Sequence, residues 1–373
     1  MNTIDKELEK NGIKIIRPLT ENETTAIATY VANSLCSSFP TLKLNCGIIH
    51  TNIFKIPMYM ADMPNNMADA SYYYKSSSIY FRNGMDINQA KKLALHECIH
   101  HFQEIKDSKG KLHRLGLCTY VGSKAYGNAI NEAAVQLMTA FASNEKRDNV
   151  TYYGVTFPSD SPTYYPVLCN LIKQLGYLLG FSTLFDSTFY SNDIFFNEMK
   201  NIYGESNAYN IQENFEEIMD LEEKVISISS RIQFEDLKPG KFKSLSNKMA
   251  KYKNKIQKIF FTTQNNIFEP FFDKQFQKIG SISQIENFRR FLYSYSTLIG
   301  SSTSYLYFND YYISKISKLD ELYEKMTKNS LAIVKESAIS KFISMIKGLF
   351  TSKAKVVNVQ PVQNNYSELD RMD

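Results

Sequence analysis

Tryptophan is absent from this chain, and proline and glycine are sparse, at 10 and 15 of 373 residues. That scarcity excludes collagen-like and Pro/Gly-rich low-complexity classes. No stretch approaches the ~20 uninterrupted apolar residues of a membrane-crossing helix, so no transmembrane segment is expected. The five cysteines, Cys36, Cys46, Cys98, Cys118 and Cys169, are odd in number and scattered, with no C-x-x-C pair. They suggest neither a cysteine zinc ribbon nor a disulfide framework, and reduced thiols are expected. The opening "MNTIDKELEKNGIKIIRP" puts charges where a signal peptide needs an apolar run, which points to a cytoplasmic protein. A net charge of +5 is too mild to argue for nucleic acid, and no such partner is expected.

What is present is apolar and aromatic. Hydrophobic residues make up 43%, with 25 Tyr and 25 Phe, enough for a sizeable core in one large domain or two. Residues 1–85 read as mixed. "IKIIRP" is β-rich, and Thr20 and Glu23 form a capping box for a helix whose apolar residues Ala26, Ile27, Tyr30, Val31 and Leu35 keep helical spacing. "NIFKIPMYM" and "SYYYKSSSIYFRNG" read as strands, the second ended by Asn83-Gly84. Residues 86–205 read as mostly helical. Asp86 caps a helix with the stripe Leu95, Cys98, Ile99, Phe102 and Ile105. A long connection over 106–127, punctuated by Gly110, Gly116, Gly122 and Gly127, is of a length that is often functional. "AINEAAVQLMTAFAS" forms a second helix. A polar loop follows, and "YYPVLCNLIKQLGYLLG" opens a third helix at Pro166. From 206 to about 350 the pattern is helical throughout, and the tail 351–373 is expected to be disordered.

Three of the five histidines fall in "LALHECIHHFQ", residues 93–103. His96, Glu97 and His100 make H-E-x-x-H. Residues four apart share a helix face, so His96 and His100 can meet one zinc ion. Glu97, beside them, takes the general-base position. His101 points about 100° away from His100 and cannot share that ion. Cys98, on the apolar side, reads as packing. The long metzincin continuation is ruled out, because Gln103 and Lys106 stand where it needs Gly and His. His113, in the glycine-rich connection, is one candidate third ligand. Glu132 is the stronger, because a carboxylate beside a buried seam needs a partner.

"HECIH", with "NEAAVQ" placing Glu132 32 residues after His100, resembles the gluzincin zinc metallopeptidases over roughly residues 70–200. The strand "SSIYFRNG" resembles the edge strand that gluzincins place over the active-site helix. The resemblance implies Zn2+ bound by His96, His100 and Glu132, with Glu97 as general base. It also implies an Asp four residues after the glutamate ligand, where this chain has Gln136.

The expected fold is therefore α+β and helix-rich: a zincin-like catalytic region with a small N-terminal sheet and a C-terminal helical region. The expected function is hydrolysis of a peptide bond in a peptide or protein substrate. The alternative is a non-catalytic metallopeptidase-like binding or regulatory protein. Tyr164 and Tyr165, at the third helix, are the candidates for the oxyanion donor. Tyr72, Tyr73, Tyr74 and Tyr80 are available to line a groove for an extended peptide. Residues 231–356 carry 22 Lys/Arg against 10 Asp/Glu. The basic stretch 238–258 within them reads as a solvated face balancing the acidic helix 212–224, with an anionic surface as the functional alternative.

Overall fold

Thr20 caps the first long helix as its sequence predicts. Its hydroxyl accepts the Glu23 N–H, and the Glu23 carboxylate accepts the Thr20 N–H in return. The computed structural model describes residues 8–64, 67–122, 124–299 and 306–349. Within them the chain is helix-rich with small sheets, an α+β arrangement.

Strand β1 (Lys14–Pro18) leads into α1 (Glu21–Ser38), and α2 (Cys46–Phe54) packs against α1. The run "NIFKIPMYM" is therefore half helix: Asn52, Ile53 and Phe54 end α2, whose N-cap is Asn45, and strand β2 (Met58–Asp62) starts later. "SYYYKSSSIYFRNG" is two strands, β3 (Ala70–Tyr73) and β4 (Ser78–Arg82), folded back at a turn where Ser77 has φ +48°. The sheet order is β1-β2-β4-β3, with β2 parallel to β4 and the other pairs antiparallel. The strand "SSIYFRNG" is thus interior, and the edge strand is β3.

Helix α3 (Ile87–Gln103) carries the H-E-x-x-H motif. The Asp86 carboxylate accepts from the N–H groups of Asn88 and Gln89. The helix ends at Gln103, so Ile105 is not in its stripe; it lies exposed in a strand. The glycine-punctuated connection is not an irregular loop. It folds as an antiparallel sheet of β5 (Glu104–Lys106), β6 (Leu112–Leu115), β7 (Cys118–Val121) and β8 (Lys124–Tyr126). Gly110, Gly116 and Gly122 sit in its turns, all at positive φ.

Helix α4 (Asn128–Ala142) carries Glu132. The polar loop expected after it is largely a hairpin, β9 (Asp148–Tyr152) and β10 (Val155–Ser159). Then come α5 (Pro166–Leu179), α6 (Phe181–Tyr190) and α7 (Ile194–Tyr203). Two long helices, α8 (Glu205–Phe234) and α9 (Pro239–Phe276), pair along their length and are followed by α10 (Ile282–Ile299) and α11 (Leu306–Leu349). One hydrophobic core runs through all three sequence segments, joining Phe81, Leu95, Leu171, Phe215, Phe268 and Tyr295. The tail expected from residue 351 lies outside the described residues. No described helix is long and apolar enough by itself to cross a membrane.

The expectation of reduced thiols is corrected at two positions. Cys36, late in α1, and Cys46, at the start of α2, form a disulfide, while Cys98, Cys118 and Cys169 are free and buried. Sequence spacing could not reveal the pair, because the α1–α2 turn alone brings the two residues together.

Candidate metal centre

His96 and His100 lie one turn apart on α3, and Glu132 lies one turn into α4, which packs against α3. The three side chains meet. His96 Nε2 is 3.0 Å from His100 Nε2, and the Glu132 oxygens lie 3.3 Å from the first and 3.4 Å from the second. Four ligands at about 2.0–2.1 Å around a tetrahedral zinc are ~3.3 Å from one another. The spacing therefore fits one ion. Cys98, in the same turn, is buried on the other face, where burial pushes its thiol pKa upward.

The hydrogen bonds behind the histidines settle which nitrogen carries the proton. Gln136 Nε2 donates to Ser161 Oγ at 3.0 Å, and Ser161 Oγ donates to the Tyr164 carbonyl at 2.7 Å. A carbonyl only accepts, so the chain has one direction. Gln136 Oε1 therefore faces His96 Nδ1, at 2.9 Å, and accepts its proton. The second chain works alike. Gln103 Nε2 donates to the Thr188 carbonyl at 2.8 Å, which turns Gln103 Oε1 toward His100 Nδ1 at 3.0 Å. With both Nδ1 atoms protonated, each neutral ring presents a bare Nε2 lone pair. Two lone pairs and a carboxylate then converge on one point, an arrangement that could hold a cation.

The electrostatics agree. Burial works to lower the pKa of the His100 imidazole, but the Glu132 charge beside it raises it to about 9. Burial works to raise that of Glu132, and the two histidines hold it well below the ordinary carboxylate range. The cluster thus favours a positive charge at its centre. The side chains of His96 and Glu132 retain 14% and 18% exposure, so the cluster is not sealed from solvent.

Glu97 lies beside this cluster, and its Oε2 accepts the Tyr72 backbone N–H at 2.7 Å. That N–H belongs to edge strand β3, which therefore runs directly over the motif helix. Tyr72 also turns its hydroxyl to His101 Nδ1 at 3.1 Å, which places His101 away from the cluster as its helix phase requires. The four tyrosines expected to line a groove pack in three different places. Tyr73 and Tyr80 pack on the far side with Leu8, Ile13 and Met63. Tyr74 packs with Tyr120 against Leu112, Leu115 and Cys118, and Tyr72 packs on the main core. Tyr80 is buried against Tyr59 and lines no groove.

His113 is half exposed and pairs with Asp107 at 3.5 Å, outside the cluster. Tyr165 and Tyr164 behave differently. Burial raises the Tyr165 pKa, and the charges of Glu132, Glu222 and Glu97 raise it further, so this hydroxyl shares the field of the cluster. Tyr164 is 41% exposed, and after burial it feels Asp69 and Glu145 instead.

Sequence reading passed over Gln103 as a supporting residue, and missed Asn131, Ser161 and Tyr120 altogether. Asn131 Oδ1 accepts from Gln103 Nε2 at 3.1 Å and from the Leu117 N–H at 3.0 Å. Gly116 makes room for this pair: at φ +58°, a Cβ there would fall 2.1 Å from Asn131 Oδ1 and 2.3 Å from Gln103 Nε2. The available signal was polar: amides at 103 and 131, next to apolar helix positions, had to find partners. Tyr120 shares the field of Glu132 after burial and Cys118. Comparison of the chain with protein-family models, curated proteins and solved structures returns no match.

Proposed function

We propose that the protein is a zinc-dependent peptide-bond hydrolase of zincin-like design. The observation that carries this reading is the convergence of two Nε2 lone pairs and one carboxylate, with both imidazole tautomers set by amides that are themselves anchored to backbone carbonyls. His96, His100 and Glu132 would hold the ion. Zinc held there supplies Lewis acidity, which lowers the pKa of water toward about 7 and polarises a substrate carbonyl.

The chain's own groups supply the rest. Glu97 removes the proton from the attacking water and passes it to the leaving amine. Before substrate arrives, its carboxylate rests on the Tyr72 N–H. Strand β3, at an edge of its sheet, offers an extended peptide backbone pairing beside that carboxylate. Tyr165, in the field of Glu132 and Glu97, keeps its proton and donates a hydrogen bond to the developing oxyanion.

The test pairs metal content with turnover. Wild type, Glu132→Ala and Glu97→Gln are purified, and zinc is measured beside hydrolysis of a peptide library. The expected result is about one zinc per chain in wild type and in Glu97→Gln, loss of zinc in Glu132→Ala, and loss of hydrolysis in both variants. Zinc-free wild type, or full activity in Glu97→Gln, defeats the proposal.

A further inference from the structure

The α8–α9 hairpin has a tip that the other described residues do not bury. The last buried side chain on α8 is Ile228 and the first on α9 is Ile256. No side chain between them is buried. Phe234 and Phe242 stand 69% and 48% exposed at this tip. Residues 229–258 contain nine Lys/Arg and only two acids, Glu235 and Asp236. Glu235 is paired with Arg231 at 2.9 Å.

The lysines are arranged as well as abundant. Leu245, Met249, Tyr252 and Ile256 recur at helical spacing and form the side of α9 that is covered. Lys241, Lys248, Lys251, Lys255 and Lys258 line one flank of that seam, and Lys243 and Lys253 the other. Balance against the acidic stretch of α8 accounts for one of them. Of these seven lysines only Lys255 forms an ion pair among the described residues, with Glu217. Lys248 lies over the Tyr252 ring. Lys241, Lys243, Lys251 and Lys258 are exposed, and Lys241 acts on the Glu235 charge at the tip.

We infer that the tip of the α8–α9 hairpin docks on an anionic lipid bilayer surface, with the lysines facing headgroups and Phe234 and Phe242 entering the acyl boundary. Charge complementarity selects an anionic partner, and a cationic helix with exposed aromatic side chains matches the composition of interfacial helices. A nucleic acid would also attract the lysines, but it gives no reason for two unstacked, exposed Phe side chains at the apex. The inference is independent of the metal centre.

Flotation of the full chain with phosphatidylcholine vesicles, with and without phosphatidylserine, tests it, with duplex DNA as the competing ligand. Two variants accompany wild type, Lys241→Gln/Lys243→Gln/Lys248→Gln/Lys251→Gln and Phe234→Ser/Phe242→Ser. All six positions are only partly buried or exposed, so circular dichroism is expected to be unchanged. Expected is binding to phosphatidylserine vesicles only, weakened at least about tenfold by each variant and by raised salt. No binding to phosphatidylserine vesicles, equal binding to neutral vesicles, or tighter binding to DNA that the Phe variant leaves unchanged would overturn it.

Discussion

At the scale of single residues, the cluster divides into groups that hold charge and groups that aim them. On the proposed mechanism, Glu97→Gln keeps the donor set intact and removes the base, so turnover should fall about 10²–10⁴-fold at unchanged zinc content. Gln103→Leu acts differently. It leaves His100 Nδ1–H and Asn131 without their partner, and zinc affinity measured by competition with a chelator should fall about 10–100-fold. Gly116→Ala forces a Cβ into that same amide pair at positive φ, and urea unfolding should show a loss of at least about 2 kcal/mol. The shared face of His96 and His100 was legible in the sequence, because residues four apart on a helix lie one turn above the other. Gln103 and Gln136 were not legible as their supports. The direction of an amide depends on what lies at its far end, here Thr188 and Ser161, which are distant in the chain.

At the scale of elements, helix patterns were readable and turns were less so. Capping boxes and apolar spacing are local, so α1, α3, α4 and α5 follow from short windows. The connection 106–127 did not, since its strands are only 3–4 residues long and become a sheet by pairing with one another. The Cys36–Cys46 bond belongs here too. It closes a loop with a sequence separation of 10, and Cys36→Ser/Cys46→Ser should cost roughly 2–3 kcal/mol in denaturant unfolding. Disulfides persist mainly in oxidising compartments, so this bond is at odds with the cytoplasmic setting that scattered cysteines suggested. On α8, Glu222 occupies a buried seam position, and Oε1 has no hydrogen-bond partner among the described residues. Its titratable neighbours, Tyr152, Tyr153, Tyr165 and Cys169, are all neutral or anionic groups. Burial pushes its carboxyl from 4.5 up to about 8. The folded state then keeps a proton that the unfolded chain releases, so stability falls as pH rises between those two values. Glu222→Gln should remove that slope and stabilise the protein by up to roughly 4 kcal/mol near pH 8, read as melting temperature against pH.

At the scale of the whole molecule, the C-terminal helices are part of the core that supports the site. Phe215 and Ile218 of α8 are buried in the same cluster as Ala133 and Leu137 of α4, and Glu216 accepts the Ala129 N–H at the start of that helix. A chain ended at residue 205 should therefore lose fixed packing around Glu132, seen as collapse of near-UV dichroism and rapid proteolysis. The sequence by itself determined the helix-rich class, the position of the motif helix and the shared face of His96 and His100, because helical phase is a local property. Only the tertiary structure decided that Glu132 faces the histidines, that β3 rather than β4 is the edge, and that Tyr165 rather than Tyr164 lies in the field of the cluster. Those outcomes depend on which faces of distant elements pack together, and no window of sequence contains both partners.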